Sequence, residues 1–103
     1  MALFTVLEAV VSPERTADLV AAYADAGRGP FPPGLVRSVL LRDSNDPARW
    51  RIETVWESLD ALTAMRAAGT PRGILIFRAA GAEPTVSAFG VVAELEPPSG
   101  ATG

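Results

Sequence analysis

The sequence predicts an α+β fold, a small antiparallel sheet with helices packed on one of its faces. Two observations carry that prediction. Residues 49–66 switch abruptly from strand to helix. Trp50, Ile52, Thr54 and Trp56 recur at period two, as a half-buried strand requires, and Leu59, Leu62 and Met65 then recur at helical spacing. The second observation is an earlier copy of the same unit. An apolar strand runs into Ser12-Pro13-Glu14, a helix start that matches Ser58-Leu59-Asp60 in kind. With the segments between and after them, the order is strand, helix, strand, strand, helix, short helix, strand. Two β-α-β halves in one small chain specify a split, ferredoxin-like sheet.

The first strand spans Ala2 to Val11 and is apolar on both faces, with Leu3, Leu7, Ala9 and Val11 on one side and Phe4, Val6 and Val10 on the other. Such a strand must be covered twice. The first helix follows Ser12, with Thr16, Leu19, Val20 and Tyr23 as its buried stripe and Gly27 as its stop. Residues 27–34 hold three Pro and three Gly around Phe31 and form a loop. Leu35 to Arg42 is the second strand, with Leu35, Val39 and Leu41 alternating with Val36, Ser38 and Leu40. The cluster Asp43 to Pro47 turns it back, antiparallel, onto Arg49–Trp56. Ser58 caps the second helix, Leu59 to about Ala68, and Gly69 ends it. Residues 71–80 open on Thr70-Pro71 and close on Gly81, which favours a helix, although Ile74 to Phe77 would also suit a strand. The last strand is read over Thr85 to Leu95, with Gly90 as a bulge or close approach. Residues 1–96 then form a single domain, and 97–103 a flexible tail. Helices cover only one sheet face. The other, apolar through residues such as Phe4, Val6 and Val10, is a partner surface, and a second copy of the chain packed sheet to sheet is the simplest partner.

Composition narrows the function. The chain has 103 residues, 49% of them hydrophobic, enough for one globular core. A net charge of −3 and nine dispersed arginines disfavour nucleic-acid binding. There is no Cys and no His, hence no thiolate chemistry and neither the commonest metal ligand nor the commonest general base. No apolar run reaches the ~18 residues of a membrane span. No basic region precedes the first apolar stretch, so the expected location is cytoplasmic.

The junction Val55-Trp56-Glu57-Ser58-Leu59-Asp60-Ala61-Leu62, with the later Phe77-Arg78-Ala79-Ala80-Gly81-Ala82-Glu83-Pro84, resembles the antibiotic biosynthesis monooxygenase family of the dimeric α+β barrel superfamily. The resemblance runs from Ala2 to about Leu95. It implies a homodimer whose sheets form a barrel, with a pocket between each sheet and its own helices. Some members oxidise aromatic polyketides such as anthrones to quinones with molecular oxygen and neither flavin nor metal, and others degrade haem. The oxidising members place an Asn and a Trp in the pocket, and the haem-degrading ones add a His after the second helix. This chain has no His, its one Asn (Asn45) lies in a turn, and Met65 stands where the haem-degrading pattern has Trp. The haem branch is thereby set aside. The expected activity is cofactor-independent oxygenation of an aromatic or phenolic small molecule. An isomerase or cyclase on similar compounds, and a dimer that only binds such molecules, stand as alternatives.

The candidate catalytic residues are Trp56 and Arg78. The Trp56 ring could stack on a flat ligand and its N–H orient an oxygen, or it could be a corner of the core. Arg78, one residue past Phe77, could hold a phenolate at the pocket mouth, or it could be part of a solvated face with Arg66 and Arg72. Tyr23, Leu62, Met65, Ile74 and Phe77 are the candidate substrate-binding residues, equally open to a core-packing reading. Trp50 reads as edge or interface packing. Glu8 and Glu53 are acids in apolar strands. They are either bases with raised pKa values or partners of Arg37, Arg42 or Arg51 in surface ion pairs. No metal site is expected.

Overall fold

The computed structural model describes residues 2–98. The element order is β1 (Leu3–Val10), α1 (Thr16–Ala26), β2 (Leu35–Arg42), β3 (Arg49–Trp56), α2 (Leu59–Ala67), α3 (Arg72–Ala79) and β4 (Thr85–Gly90). The strands form one antiparallel sheet in the order β2-β3-β1-β4. This is the split β-α-β arrangement that the sequence predicts, and within residues 71–80 Arg72–Ala79 form a helix.

The helix face of the sheet reads in rows. Leu40, Ile52, Leu7 and Val86 are aligned across the four strands, and one step along lie Ser38, Thr54, Thr5 and Ala88. The core sits over the first of these rows. Leu7, Ala9, Trp50 and Ile52 pack there against Leu19 of α1 and Ile76 and Phe77 of α3. Leu19 and Phe77 have no exposed surface at all. Trp50 is therefore a core residue and not an edge one. The Arg42 guanidinium lies 4.9 Å from its ring centroid.

Local signals explain the helix ends. Ser58 Oγ accepts from the Ala61 amide at 3.1 Å, the cap that its position implies. The first helix starts differently. Pro13–Arg15 form a 3-10 turn, Ser12 makes no side-chain cap, and the α-helix begins at Thr16. Its inward stripe is Leu19, Ala22, Tyr23 and Ala26, whereas Val20 is 47% exposed. Ala22 takes the inward place because α1 packs closely on α3.

α3 ends in a Schellman motif. The Ala82 amide donates to the Phe77 carbonyl at 3.0 Å and the Gly81 amide to that of Arg78 at 2.9 Å, with Gly81 at φ +74. Arg15 closes the same end by donating to the Ala79 carbonyl at 2.8 Å.

Two strand expectations are corrected. β4 stops at Gly90 and not at Leu95, because its one neighbour, β1, begins at Leu3 opposite Gly90. A final bond from the Val91 amide to the Ala2 carbonyl closes the ladder, and residues 92–98 extend beyond it, exposed. The bulge expected at Gly90 lies instead in β2, between Leu35 and Arg37. It puts Leu35 on the helix face with Ser38 and Leu40, against simple alternation. Of the expected tail, Pro97 and Pro98 are exposed and residues 99–103 lie outside the described part. No helix among the described residues is long and apolar enough to cross a membrane.

Gly81→Ala is expected to destabilise the fold by about 1 kcal/mol or more, from the left-handed backbone alone. The new Cβ would also stand 2.9 Å from Arg15 Nη1. Urea denaturation of the variant beside wild type checks this, with Gly29→Ala, where a Cβ meets nothing, as the neutral control.

Candidate active site

The core fills only half of the space between sheet and helices. α1 and α3 cover Leu40, Ile52 and Leu7 of the first row, and α2 must cover the rest. It does so sparsely. Leu62 is its one buried residue, and Ala61, Ala64 and the C-cap Ala68, with Met65 beside them, line the cleft. Alanines fill little of the gap to the sheet, and a cleft of about 1190 Å³ remains beneath α2. Its floor is Ser38, Thr54 and Thr5 of the second sheet row, bordered by Ile52, Leu7 and Val86 of the first. Its far wall is Trp56, and its mouth is framed by the proline-rich loop with Phe31 at the tip.

The floor is polar, although the walls are mostly apolar. Ser38, Thr54 and Thr5 carry aligned hydroxyls from β2, β3 and β1. Tyr23 reaches down from α1 and its OH shares a hydrogen bond with Ser38 Oγ at 3.0 Å; Thr54 Oγ1 lies 3.4 Å from the same oxygen. Trp56 Nε1 donates to Thr5 Oγ1 at 3.1 Å, and both residues are buried. The indole N–H is thus already bonded, which leaves the Trp56 ring and not its N–H as the part offered to a ligand.

Arg72 ties the mouth together. From the first turn of α3 it donates to the Ala26 carbonyl at 3.1 Å and to the Pro30 carbonyl, joining the end of α1 to the loop. Arg37 and Arg66 also line the cleft. The carboxylates that reach it are Glu57 and Asp60, both exposed. Gly34, at φ +83, lets the loop pass against α2, since a Cβ there would collide with the Ala61 side chain.

The candidate residues separate on this geometry. Trp56, Tyr23, Met65 and Ile74 line the cleft together. Leu62 and Phe77 do not. They are 1% and 0% exposed and pack behind the wall. Arg78 is not at the mouth. It points away, in a bidentate pair with Glu83 at 2.9 and 3.0 Å, beyond the far end of α3. The hydroxyl floor is what the sequence reasoning missed. Its signal was available, as Thr5, Ser38 and Thr54 interrupt otherwise apolar strand faces. Among the described residues no group of three or more acidic, His or Cys side chains is placed to hold a metal.

The sequence model of one family, antibiotic biosynthesis monooxygenase, matches residues 3–70. The chain belongs to this family. Its fold is shared with SnoaB, a cofactor-independent oxygenase from Streptomyces nogalater. A mutant of SnoaB superposes with a TM-score of 0.71 at 22% identity, over 93% of this chain and 98% of that one. A second SnoaB structure gives 0.64 at 23% identity over the same shares. A conserved protein from Methanosarcina mazei Go1 gives 0.68 at 14% identity, over 86% of this chain and 91% of the other. At these identities the likeness is one of fold. No curated protein matches the chain significantly.

The strand acids lie on the other face of the sheet, away from the cleft. Glu8 is held by Arg49 and Arg51 at 2.7 Å each, and Arg51 also meets Glu53 at 3.2 Å. The hydrogen bonds from Arg51 and then Arg49 hold the Glu8 carboxyl below its ordinary 4.5, which is the reverse of what a general base needs. Of the two readings of Glu8, the ion pair stands, with Arg51 as the expected partner and Arg49 added. Hydrogen bonds from Arg78 lower the Glu83 carboxyl in the same way.

A depressed carboxyl contributes stability above its unfolded-state pKa and loses it as pH falls through the folded value. Acid titration of stability should therefore fall below about pH 4.5 in wild type, and Glu8→Gln should flatten that slope. Equal slopes in the two proteins would assign the acid sensitivity elsewhere.

Proposed function

We propose that the chain is a cofactor-independent monooxygenase that oxidises a flat aromatic or phenolic small molecule, of polyketide or quinone type, with molecular oxygen. The observation that carries this reading is the cleft, about 1190 Å³ with apolar walls and a row of hydroxyls along its floor. Sites for drug-sized ligands have this character, with mostly apolar lining and a few placed polar groups. Family membership supports the reaction type. The likeness to an oxygenase described as cofactor-independent supports the absence of a helper group.

In the proposed reaction the substrate carries the redox chemistry itself. An acidic C–H between two aromatic rings loses its proton to a cleft carboxylate, for which Glu57 is the candidate. The carbanion passes one electron to oxygen, and the radical pair closes a C–O bond, giving a peroxide after protonation. Loss of water breaks the O–O bond and removes the second C–H, leaving a carbonyl. One oxygen molecule is consumed, with one atom in the product and one in water. The Trp56 ring and Met65 would hold the rings flat, while the hydroxyl floor would meet their oxygens. A second reading is ligand binding without catalysis, favoured by the exposure of both Glu57 and Asp60.

The same proposal includes a homodimer formed through the sheet face opposite the cleft. Phe4, Val6, Val39 and Val55 are half-buried there with no helix over them, and Val10, Leu41 and Phe89 are 63%, 41% and 58% exposed. These side chains share the face with the Glu8–Arg49–Arg51–Glu53 ion pairs, and a second sheet packed on it would bury the apolar part.

Oxygen uptake with a hydroxylated anthrone, with chelator and without flavin, tests the activity. Uptake above the uncatalysed rate is expected, falling at least tenfold in Glu57→Gln and less in Trp56→Phe. Binding of the anthrone with no uptake would instead favour the second reading. For the dimer, sedimentation equilibrium of wild type should give twice the chain mass, and Phe89→Asp should lower it toward the monomer. A monomeric wild type would refute the dimer.

A further inference from the structure

The hydroxyl floor has a hub. Ser38 Oγ lies 3.0 Å from the Tyr23 OH and 3.4 Å from Thr54 Oγ1. Each of the three hydroxyls has one proton to give, so the two contacts between them use at most two and leave at least one for a guest. Ser38 is the oxygen that both neighbours reach, and it lines the cleft. Hydroxyls joined in this way polarise one another, by something on the order of 10–30% per bond. Half-buried, Ser38 also acts where water competes less. We propose that Ser38 is the anchor for one oxygen of the bound aromatic molecule, a carbonyl or phenolate, with Tyr23 and Thr54 as positioning residues that orient and polarise it. This rests on the reading of the cleft as an aromatic-ligand site.

The geometry favours Ser38 over its neighbours. Thr54 is buried at 8% exposed, and Trp56 gives its N–H to Thr5. Thr5 is only 5% exposed, so its hydroxyl sits deeper than that of half-buried Ser38. Tyr23 is the single tyrosine of the chain, and its phenol is directed at Ser38 from the opposite layer. The anchor is therefore fixed from two elements, helix and sheet, and a ligand oxygen placed on it lies over the floor beside the Trp56 ring.

Xanthone and xanthene share one tricyclic skeleton and differ by a carbonyl oxygen, and neither binding measurement needs oxygen chemistry. Titration calorimetry should show wild type preferring xanthone. Ser38→Ala should weaken xanthone about tenfold, the scale of one good hydrogen bond, and leave xanthene within twofold. Thr54→Val and Tyr23→Phe should each remove part of the preference, and Ser38→Thr should restore it. If Ser38→Ala does not fold, the Thr54 and Tyr23 variants carry the test. A preference that survives in Ser38→Ala, an equal loss of both compounds, or a wild type that binds neither would overturn the anchor. The oxygenase reading fails separately. No anthrone-dependent oxygen uptake, with the xanthone preference present in wild type and lost in Ser38→Ala, would remove the oxygenase and keep the anchor. Uptake with an unchanged KM in Ser38→Ala would do the opposite.

Discussion

The burial of Phe77 is the constraint on which the remaining architecture depends. Fully removing such a ring from water is worth about 2–3 kcal/mol. Here it fixes α3 against Leu19 of α1 and the centre of the sheet. Once Phe77 is seated, the rest of α3 has no freedom. Its first turn lies so close to β1 that a Cβ on Gly73 would fall 2.7 Å from Leu7 Cδ2. Arg72 is thereby delivered to the end of α1 and the proline-rich loop. Its last turn is closed by Gly81 and by Arg15. One helix thus packs half of the sheet and frames the other half.

The open half follows from side-chain size. α1 and α3 present Leu, Ile and Phe to the sheet, whereas α2 buries only Leu62 and turns alanines toward the cleft. The polar row Ser38-Thr54-Thr5 lies at the border between the two halves. In a filled core these hydroxyls would each demand a partner. Beneath a cleft they satisfy one another in part and keep some capacity for a guest. The energetics of packing and the chemistry of the site are in this sense one feature.

Much of this was legible in the residues. Period two over Trp50 to Trp56 named the buried face of β3, and Ser58 and Gly81 marked helix ends that the structure closes with the expected bonds. Other features were out of reach for physical reasons. Periodicity tells which side of a helix faces inward, but not whether the inside is packed or empty, so Leu62 and Phe77 could not be told from Met65 and Ile74. The distinction lay in the small residues between them, which carry no hydrophobic signal. Arg78 follows Phe77 in sequence, yet consecutive helical residues point about 100° apart, and Glu83 draws it further away. The bulge between Leu35 and Arg37 has no glycine or proline to announce it. Glu8 needed the register of β1 on β3 to reveal which arginines it faces.

The sheet is a single layer of backbone with unlike surroundings on its two sides. Thr5 and Leu7 look into the cleft and the core, while Phe4 and Val6, their immediate neighbours in sequence, look the other way. Alternate codons of one short strand are therefore exposed to separate selection. Substitutions at one parity retune what the cleft accepts, and those at the other retune what the outer face meets. The two sets share only the hydrogen-bonded ladder between them, so a lineage can change its ligand without changing its assembly.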